Sequence, residues 1–426
     1  MIITLMFLGL FLLVFINVPI AISLAVVTTA AMVLTQGPDV LPNVALVMMD
    51  GATKFPLIAI PLFILAGAIM NTGGISQRLI AFASALFGFV RGGLSMITIG
   101  TSMFFAEISG SAVADVAALG SILIPAMKKR GYPAPFAAAV MSSSATLAVI
   151  IPPSIPMILY AVMAQTSVVQ LFVAGVVPGL LGGLGMMALS YWFARRYNYP
   201  VEETFQLRRV GRTFKEASLA FSLPLIVLGG IFGGFVTATE GAALAVLASL
   251  LISGVYRELD LRRLKDAVIE GGIHTSVVML LVAASMLVGV YLTEVQLPQK
   301  LAAEIAAFTD NKYIILAIMN LFFLMIGFFL HSAAAIILVV PIVMPIVNLV
   351  GIDPVHFGMI VTLNLGIGQQ TPPVASVLVT ACSVAKADIW EVSKVNIYFI
   401  GVLFAVLMLV TYVPIVPMGL VEYFYR

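Results

Sequence analysis

The chain has 426 residues, of which 62% are hydrophobic and 9% charged, with a mean hydropathy of +1.16 and a net charge of +2. Such a composition excludes a soluble globular domain, and the near-neutral charge gives no reason to expect a nucleic-acid partner. A single cysteine, Cys382, excludes an internal disulfide and a thiolate metal cluster.

Apolar runs of about 18 residues or more recur along most of the chain, which is the length a helix needs to cross a lipid bilayer. They are continuous rather than alternating, so a membrane barrel is excluded and an all-α, polytopic helical membrane protein is expected. The N-terminal MIITLMFLGLFLLVFINVP has no basic start and no small-residue cleavage site. It reads as a retained first helix.

In chain order, apolar segments lie at about 2–16, 19–35 and 56–71. The stretch 72–93 is amphipathic, with Arg78 and Arg91 near its ends, and suits the membrane surface. Residues 94–127 hold two arms, each too short for a comfortable crossing, around ISGSAVAD, and read as a re-entrant hairpin. An interrupted helix over about 134–163 follows, then a crossing at 168–193 and a polar linker at 195–216. Crossings are expected at 217–236, 241–255 and 274–293, and a second surface helix at 297–308. A second hairpin covers 313–347, an interrupted helix 356–385, and a last crossing 396–418.

The two hairpin-and-break units match in sequence. A shift of 220 carries Pro125 to Pro345, Gly131 to Gly351 and Pro152-Pro153 to Pro372-Pro373, while a shift of 222 carries Gly67 to Gly289 and Leu79 to Leu301. This is an internal duplication. Of the 21 Lys and Arg, all but Lys54, Lys300, Lys312 and Arg426 fall on one side when the segments are threaded in this order. That side is cytoplasmic by the positive-inside rule. The first hairpin then enters from the cytoplasm and the second from outside, so the repeats are inverted. The expected organisation is 1–55 scaffold helices, 56–194 first repeat, 195–216 cytoplasmic linker, 217–273 scaffold helices and 274–426 second repeat.

Polar residues gather at the tips and breaks. Ser109, Gly110, Ser111 and Asp115 occupy the first tip. A carboxylate in a membrane segment is costly and suggests a functional site, although Asp115 could also cap the helix it starts. Ser142, Ser143, Ser144 and Thr146 precede Pro152-Pro153; Asn364, Gly366, Gly368, Gln369, Gln370 and Thr371 precede Pro372-Pro373. Proline has no N–H and pushes its predecessor out of helix, so carbonyls are freed. Such oxygens suit a hard monovalent cation, and half-helix N-termini attract an anion. The structural alternative is a packing kink with Ser and Thr bonding back to their own helix. Two matched breaks opposite two hairpins favour a transport site over that alternative.

His331 at the second tip could ligate an ion or serve as a hydrogen-bonded polar residue. Glu240 is expected to bond a helix start, Glu107 could pair across the hairpin base, and His274 and His356 are expected at the interface. No nucleotide-binding loop is present, so ATP does not drive the chain, and no nucleophile–base pair supports an enzyme. The alternatives are a channel, against which opposed hairpins closing one midplane site argue, and an anion symporter that needs no binding protein.

The motifs ISGSAVADVAALGSILIPAMKKRGYPAPFAAAV, IIPPSIPMILY, FVTATEGAA and GIDPVHFG…NLGIGQQTPPV, taken together, resemble the large membrane subunit of tripartite ATP-independent periplasmic (TRAP) transporters over essentially the whole chain. The resemblance implies an elevator-type, sodium-coupled importer of organic acids in the bacterial inner membrane. It also implies a small four-helix membrane subunit and a periplasmic substrate-binding protein as partners, and no cofactor beyond sodium as coupling ion. Ser109, Gly110, Ser111 and Asp115 match the family's first hairpin motif, and Pro152 and Pro372 its two breaks. Where the family often has an acidic residue followed by Thr, this chain has His331 and Ser332. Sodium ligation is therefore expected at Ser109, Gly110, Ser111, Asp115, Ser144, Thr146 and Pro152, and at Ser332, Asn364, Gly366 and Thr371. Substrate contacts are expected at Ser143, Ser154, His331, Gln369 and Gln370. GQQTPPVAS resembles the sialic-acid branch of the family more than the C4-dicarboxylate branch, so sialic acid is the first candidate and a C4-dicarboxylate the next.

Overall fold

A computed structural model describes every residue except 1, 17, 202–203, 259, 301–303, 305–308, 310 and 426, and the backbone alone at 107–109, 261, 263, 267 and 270. Among the described residues the fold is all-α, and nine helical segments are long and apolar enough to cross a membrane. Helices α1 (Ile2–Phe15), α2 (Ile20–Gln36) and α3 (Leu41–Ala52) pack with the 34-residue α14 (Leu261–Glu294). They bury a cluster of their own that includes Met6, Leu24, Met32, Leu287 and Tyr291. At 12 residues α3 is too short to register as a membrane segment in the sequence, and the expected segments do not include it.

The remaining helices share one large core. Helix α4 (Ala59–Thr72) is followed by the predicted surface helix, α5 (Ile75–Phe87). Its buried Ile75, Leu79 and Ala83 recur every four residues and form one stripe, as an amphipathic helix requires. Helices α6 (Gly93–Ser109) and α7 (Ala112–Lys129) form the first hairpin. The first broken helix comprises α8 (Ala134–Ala145), α9 (Leu147–Ile150) and α10 (Ile155–Met163), and α11 (Val168–Arg196) follows. After α12 (Leu207–Phe232), α13 (Ala238–Val255) and α14, the pattern returns. Helices α15 (Lys312–Phe329) and α16 (Ser332–Leu349) form the second hairpin, and α17 (Pro354–Gly368) and α18 (Ser376–Ala385) the second broken helix. Helices α19 (Ile389–Tyr412) and α20 (Ile415–Tyr425) close the chain.

Packing repeats with the sequence. In each unit the first hairpin arm lies on the first half of the broken helix, α6 on α8 and α15 on α17. The second halves are exchanged: α10 packs on α16, and α18 on α7. Five crossings separate the hairpins, namely the first broken helix and α11 to α14. An odd number turns the second unit over, so the repeats are inverted.

Several boundaries differ from expectation. The linker is shorter than expected, because α11 runs to Arg196 and the basic stretch from Leu207 is already helical. Likewise α14 begins thirteen residues before the expected crossing. Asp260 starts it by accepting from the Arg262 N–H at 2.8 Å, one of the orphan donors of a first turn. Asp388 does the same for α19, which starts at Ile389 and stops at Tyr412, just before Pro414. Glu240 completes a capping box with Thr237, as expected: its carboxylate accepts the Thr237 N–H at 2.7 Å. His356 is buried rather than interfacial, and its Nε2 lies 2.7 Å from the Val410 carbonyl. His274 is exposed within α14, several turns from either end. The surface helix predicted at 297–308 falls mostly outside the described residues.

Long-range contacts gather the basic segments on one face. Arg78 pairs with Glu258 at 2.8 Å and lies 3.7 Å over the Tyr256 ring. The Tyr256 hydroxyl donates to the Glu216 carbonyl at 3.0 Å. Gly92 N–H donates to the Pro200 carbonyl, and Lys128 Nζ donates to the Ala385 carbonyl at 2.7 Å, beside Lys386. Far from this face, Tyr160 donates to the Pro354 carbonyl at 2.7 Å and Tyr425 to that of Phe232 at 3.1 Å. Single cysteines at Arg209 and Val350, in a Cys382→Ser background, should therefore react with an impermeant maleimide from opposite sides of the membrane. Reaction of both from one side would sink the inverted arrangement.

Candidate transport site

At the first break, Ile151 and Ser154 are extended, with ψ of 128° and 131°, around the Pro152-Pro153 pair. Ser154 spans the gap by donating from Oγ to the Val149 carbonyl at 2.9 Å. The first hairpin tip docks against the exit of this break. There Gly110 has φ +56°, and a Cβ added to it would lie 3.0 Å from the Ile155 backbone nitrogen. The left-handed conformation alone costs a non-glycine residue about 1–2 kcal/mol. Gly110→Ala should lower thermal stability by at least that amount, read as a shift of the unfolding midpoint in detergent; an unchanged midpoint would refute the docking.

The second break runs from Gln369 to Ala375. Ala375 is held at φ 43°, a conformation that non-glycine residues rarely adopt. The Val374 N–H donates to the Phe328 carbonyl of α15 at 3.3 Å. One turn away, Gly327 and Gly368 bring the backbones of α15 and α17 into direct contact.

The helical segments that lead into the two breaks cross each other. A Cβ on Gly366 would lie 2.9 Å from Thr146 Cγ2, so α17 crosses the first broken helix at the junction of α8 and α9 with nothing but glycine between them. Around this crossing the hydroxyl and amide groups are buried and bonded across helices. Ser102 Oγ on α6 donates to Ser144 Oγ on α8 at 3.0 Å. The corresponding helices of the second repeat hold a corresponding pair: Asn364 Nδ2 on α17 donates to Asn320 Oδ1 on α15 at 2.7 Å. Asn320 in turn donates to Thr411 at 3.1 Å. The Ser143 hydroxyl has one proton and two acceptors, the Ala139 carbonyl at 2.6 Å and Asn396 Oδ1 at 2.7 Å. Inverted hairpins, matched breaks and a shared buried polar centre form one pattern over nearly the whole chain.

Residues 7–416 match the family described as Tripartite ATP-independent periplasmic transporter, DctM component. The chain belongs to that family. It is similar to the isethionate TRAP transporter permease protein DctMQ of Oleidesulfovibrio alaskensis, with 43% identity over 95% of this chain and 64% of that protein. The chain thus spans less than two thirds of that relative. It is 39% identical to the C4-dicarboxylate TRAP transporter large permease protein DctM of Pseudomonas aeruginosa, over 92% of each chain. It is 35% identical to the sialic acid TRAP transporter large permease protein SiaM of Vibrio cholerae, over 97% and 96%. The solved structure of the YdaH transporter of Alcanivorax borkumensis shares the fold, with a TM-score of 0.67, 14% identity and 90% of each chain covered. A TRAP permease is a multi-pass membrane transporter component and not an enzyme.

Within this TRAP permease, the expected residues divide into those the fold joins and those it leaves apart. Ser143, Ser144, Thr146, Asn364, Gly366 and Gln370 converge at the crossing, and most are fully buried. Ser154 and Thr371 lie at the breaks themselves, with Thr371 Oγ1 donating to the Ile367 carbonyl at 3.0 Å. Pro152 forms the first break, and Gln369 Nε2 reaches the Leu365 carbonyl at 3.4 Å. Ser111 sits at the N-cap of α7 and Asp115 in its first turn, where the helix dipole favours a carboxylate; Asp115 is buried. Ser109 ends α6, and its side chain, like that of Glu107, lies outside the described residues. Ser332 is buried at the start of α16, while His331 stays exposed and gives that helix no side-chain cap. The residues missed by sequence reasoning are Ser102, Asn320, Asn396 and Thr411. The two asparagines carried a usable signal, since a primary amide at membrane depth needs a bonded partner.

Proposed function

We propose that this TRAP permease imports an organic acid across the bacterial inner membrane by sodium-coupled symport. A small four-helix membrane subunit and a periplasmic binding protein complete the machine, the latter delivering the acid. Sodium is taken by Ser109, Gly110, Ser111, Asp115, Ser144, Thr146 and Pro152 in the first repeat. Ser332, Asn364, Gly366 and Thr371 take it in the second. The observation that carries this reading is the amide of Asn364. Its nitrogen donates to Asn320 and to the Ile360 carbonyl, while its oxygen is buried with no hydrogen-bond partner among the described residues. An unpaired buried acceptor costs about 1–3 kcal/mol, and a hard cation bound there offsets that cost.

The anion is met by donors. Gln370 Nε2 is buried and without a partner among the described residues, and the residue lies on the second break, where Asn396 joins it to Ser143. Ser154, His331 and Gln369 complete the substrate contacts. Gln369 and Gln370 before Thr371 keep sialic acid as the first candidate, and the named relatives put a C4-dicarboxylate and a small sulfonate such as isethionate beside it. All three carry negative charge. In the elevator motion proposed here, the two hairpin-and-break units move as a body against α1–α3 and α12–α14.

Proteoliposomes holding this chain and the small subunit test the reading. Uptake of labelled sialic acid, C4-dicarboxylate and isethionate should stay at background until binding protein and external sodium are both added, and one of the acids should then accumulate. Equal uptake without binding protein or without sodium would refute it.

A further inference from the structure

We infer that Asn396 is a positioning residue that couples the two helix breaks, so that cation binding in one repeat is felt in the other. The inference rests on the sodium reading above. Asn396 lies on α19, which packs against the first half of both broken helices, and its side chain is fully buried. Its Oδ1 lies 2.7 Å from the Ser143 hydroxyl of the first repeat. Its Nδ2 lies 3.3 Å from the carbonyl and 3.4 Å from Oε1 of Gln370 in the second. One side chain therefore touches expected site residues of both repeats.

The duplication supplies an internal control. Asn396 is the eighth residue of α19, and the eighth residue of the equivalent α11 is Gly175. There the helix packs directly on the first break, and a Cβ would lie 2.5 Å from the Ile150 carbonyl. Close packing with no side-chain link is thus the arrangement in the first repeat. The second repeat replaces it with an amide that reaches across to the other break.

The Ser143 proton has two acceptors, the Ala139 carbonyl of its own helix and Asn396. Ligation of the Ser142–Thr146 turn by a cation moves this hydroxyl and shifts its proton between them. Asn396 then reorients, and its two long bonds to Gln370 tighten or break. A buried amide cannot leave these bonds unmade cheaply, which makes the connection stiff.

The test uses the full chain with its small subunit in detergent, and sodium chloride against choline chloride at constant ionic strength. The unfolding midpoint is followed as sodium rises. The wild-type assembly should respond cooperatively, with a Hill coefficient approaching about 2, because coupled sites raise the coefficient toward their number. Asn396→Leu keeps the volume and loses both arms. It should respond with a coefficient of about 1 and a half-saturating sodium concentration about tenfold higher, within the usual range of site-to-site coupling. Ser143→Ala, which cuts one arm and is the smaller change, should lower the coefficient in the same direction. A variant curve with wild-type shape, displaced to lower midpoints equally at every sodium concentration, would assign Asn396 a purely structural role and overturn the inference. If Asn396→Leu does not fold, Ser143→Ala decides by the same criterion. A wild-type assembly with no sodium response overturns the sodium reading and the coupling together, a result distinct from the previous one.

Discussion

Uptake by the complete assembly in proteoliposomes should rise with about the second power of sodium concentration and accelerate when the interior is made negative. The expectation follows from charge. Moving one elementary charge against 100 mV costs about 2.3 kcal/mol, so an importer of anions must carry in more cation charge than the acid brings. The proposed sodium reading assigns one site to each repeat, where a hairpin faces a break. With a monoanion and two sodium ions each cycle moves one net positive charge inward. At 100 mV, inside negative, that term alone favours accumulation by about 50-fold. Paired Ser109→Ala and Ser111→Ala changes should weaken sodium activation more than delivery by the binding protein. The measurement is the initial rate against sodium, with potential clamped by potassium and valinomycin. A hyperbolic sodium curve with no response to potential would count against the mechanism.

Gly368→Ala should be the most damaging single methyl group in this chain. A Cβ at Gly368 would lie 2.5 Å from both Cα and the carbonyl carbon of Gly327. Those are backbone atoms, so no side chain can swing aside, and α15 must separate from α17 just where the second break begins. Overpacking of this kind costs about 1–3 kcal/mol in stability, and the displacement also pulls Asn320 from Asn364. Uptake should fall by at least about 100-fold, since a shift near one ångström in a positioned site already costs that much. Gly229→Ala is the matching control. Gly229 lies inside α12 with nothing within 4 Å of an added Cβ, and alanine is the better helix former by about 1 kcal/mol. It should leave stability equal or higher. Normal transport by Gly368→Ala would show that the hairpin and broken helix are not held in register there.

The class of protein, the two hairpins, the two breaks and the inversion were legible in the chain itself. Each rests on a local rule. Pro152-Pro153 and Pro372-Pro373 lack the N–H groups that a helix needs, Gly110 tolerates the left-handed turn at a tip, and neither arm of the first hairpin is long and apolar enough to cross. Helix ends were legible where a cap is local, as at Thr237 and Glu240. They were not legible at Leu207 and Leu261, where runs of charged residues hide a helix start although arginine and lysine are good helix formers.

Which polar groups meet depends on packing. Asn396 reaches Ser143 across 253 positions, Asn320 reaches Asn364 across 44, and the Gly327–Gly368 contact is one backbone resting on another. None of these follows from spacing, because hydropathy and proline report the path of a segment through the bilayer and not its rotation about its own axis. That rotation is set by packing, where close approach of small residues and the bonding of buried amides select one arrangement. Two broken helices, each matched to a hairpin, are thus dictated by the chain. Their mutual orientation, and with it the buried amide that joins them, was decided by the fold, since a donor or acceptor out of reach of water must find its partner wherever the chain brings one.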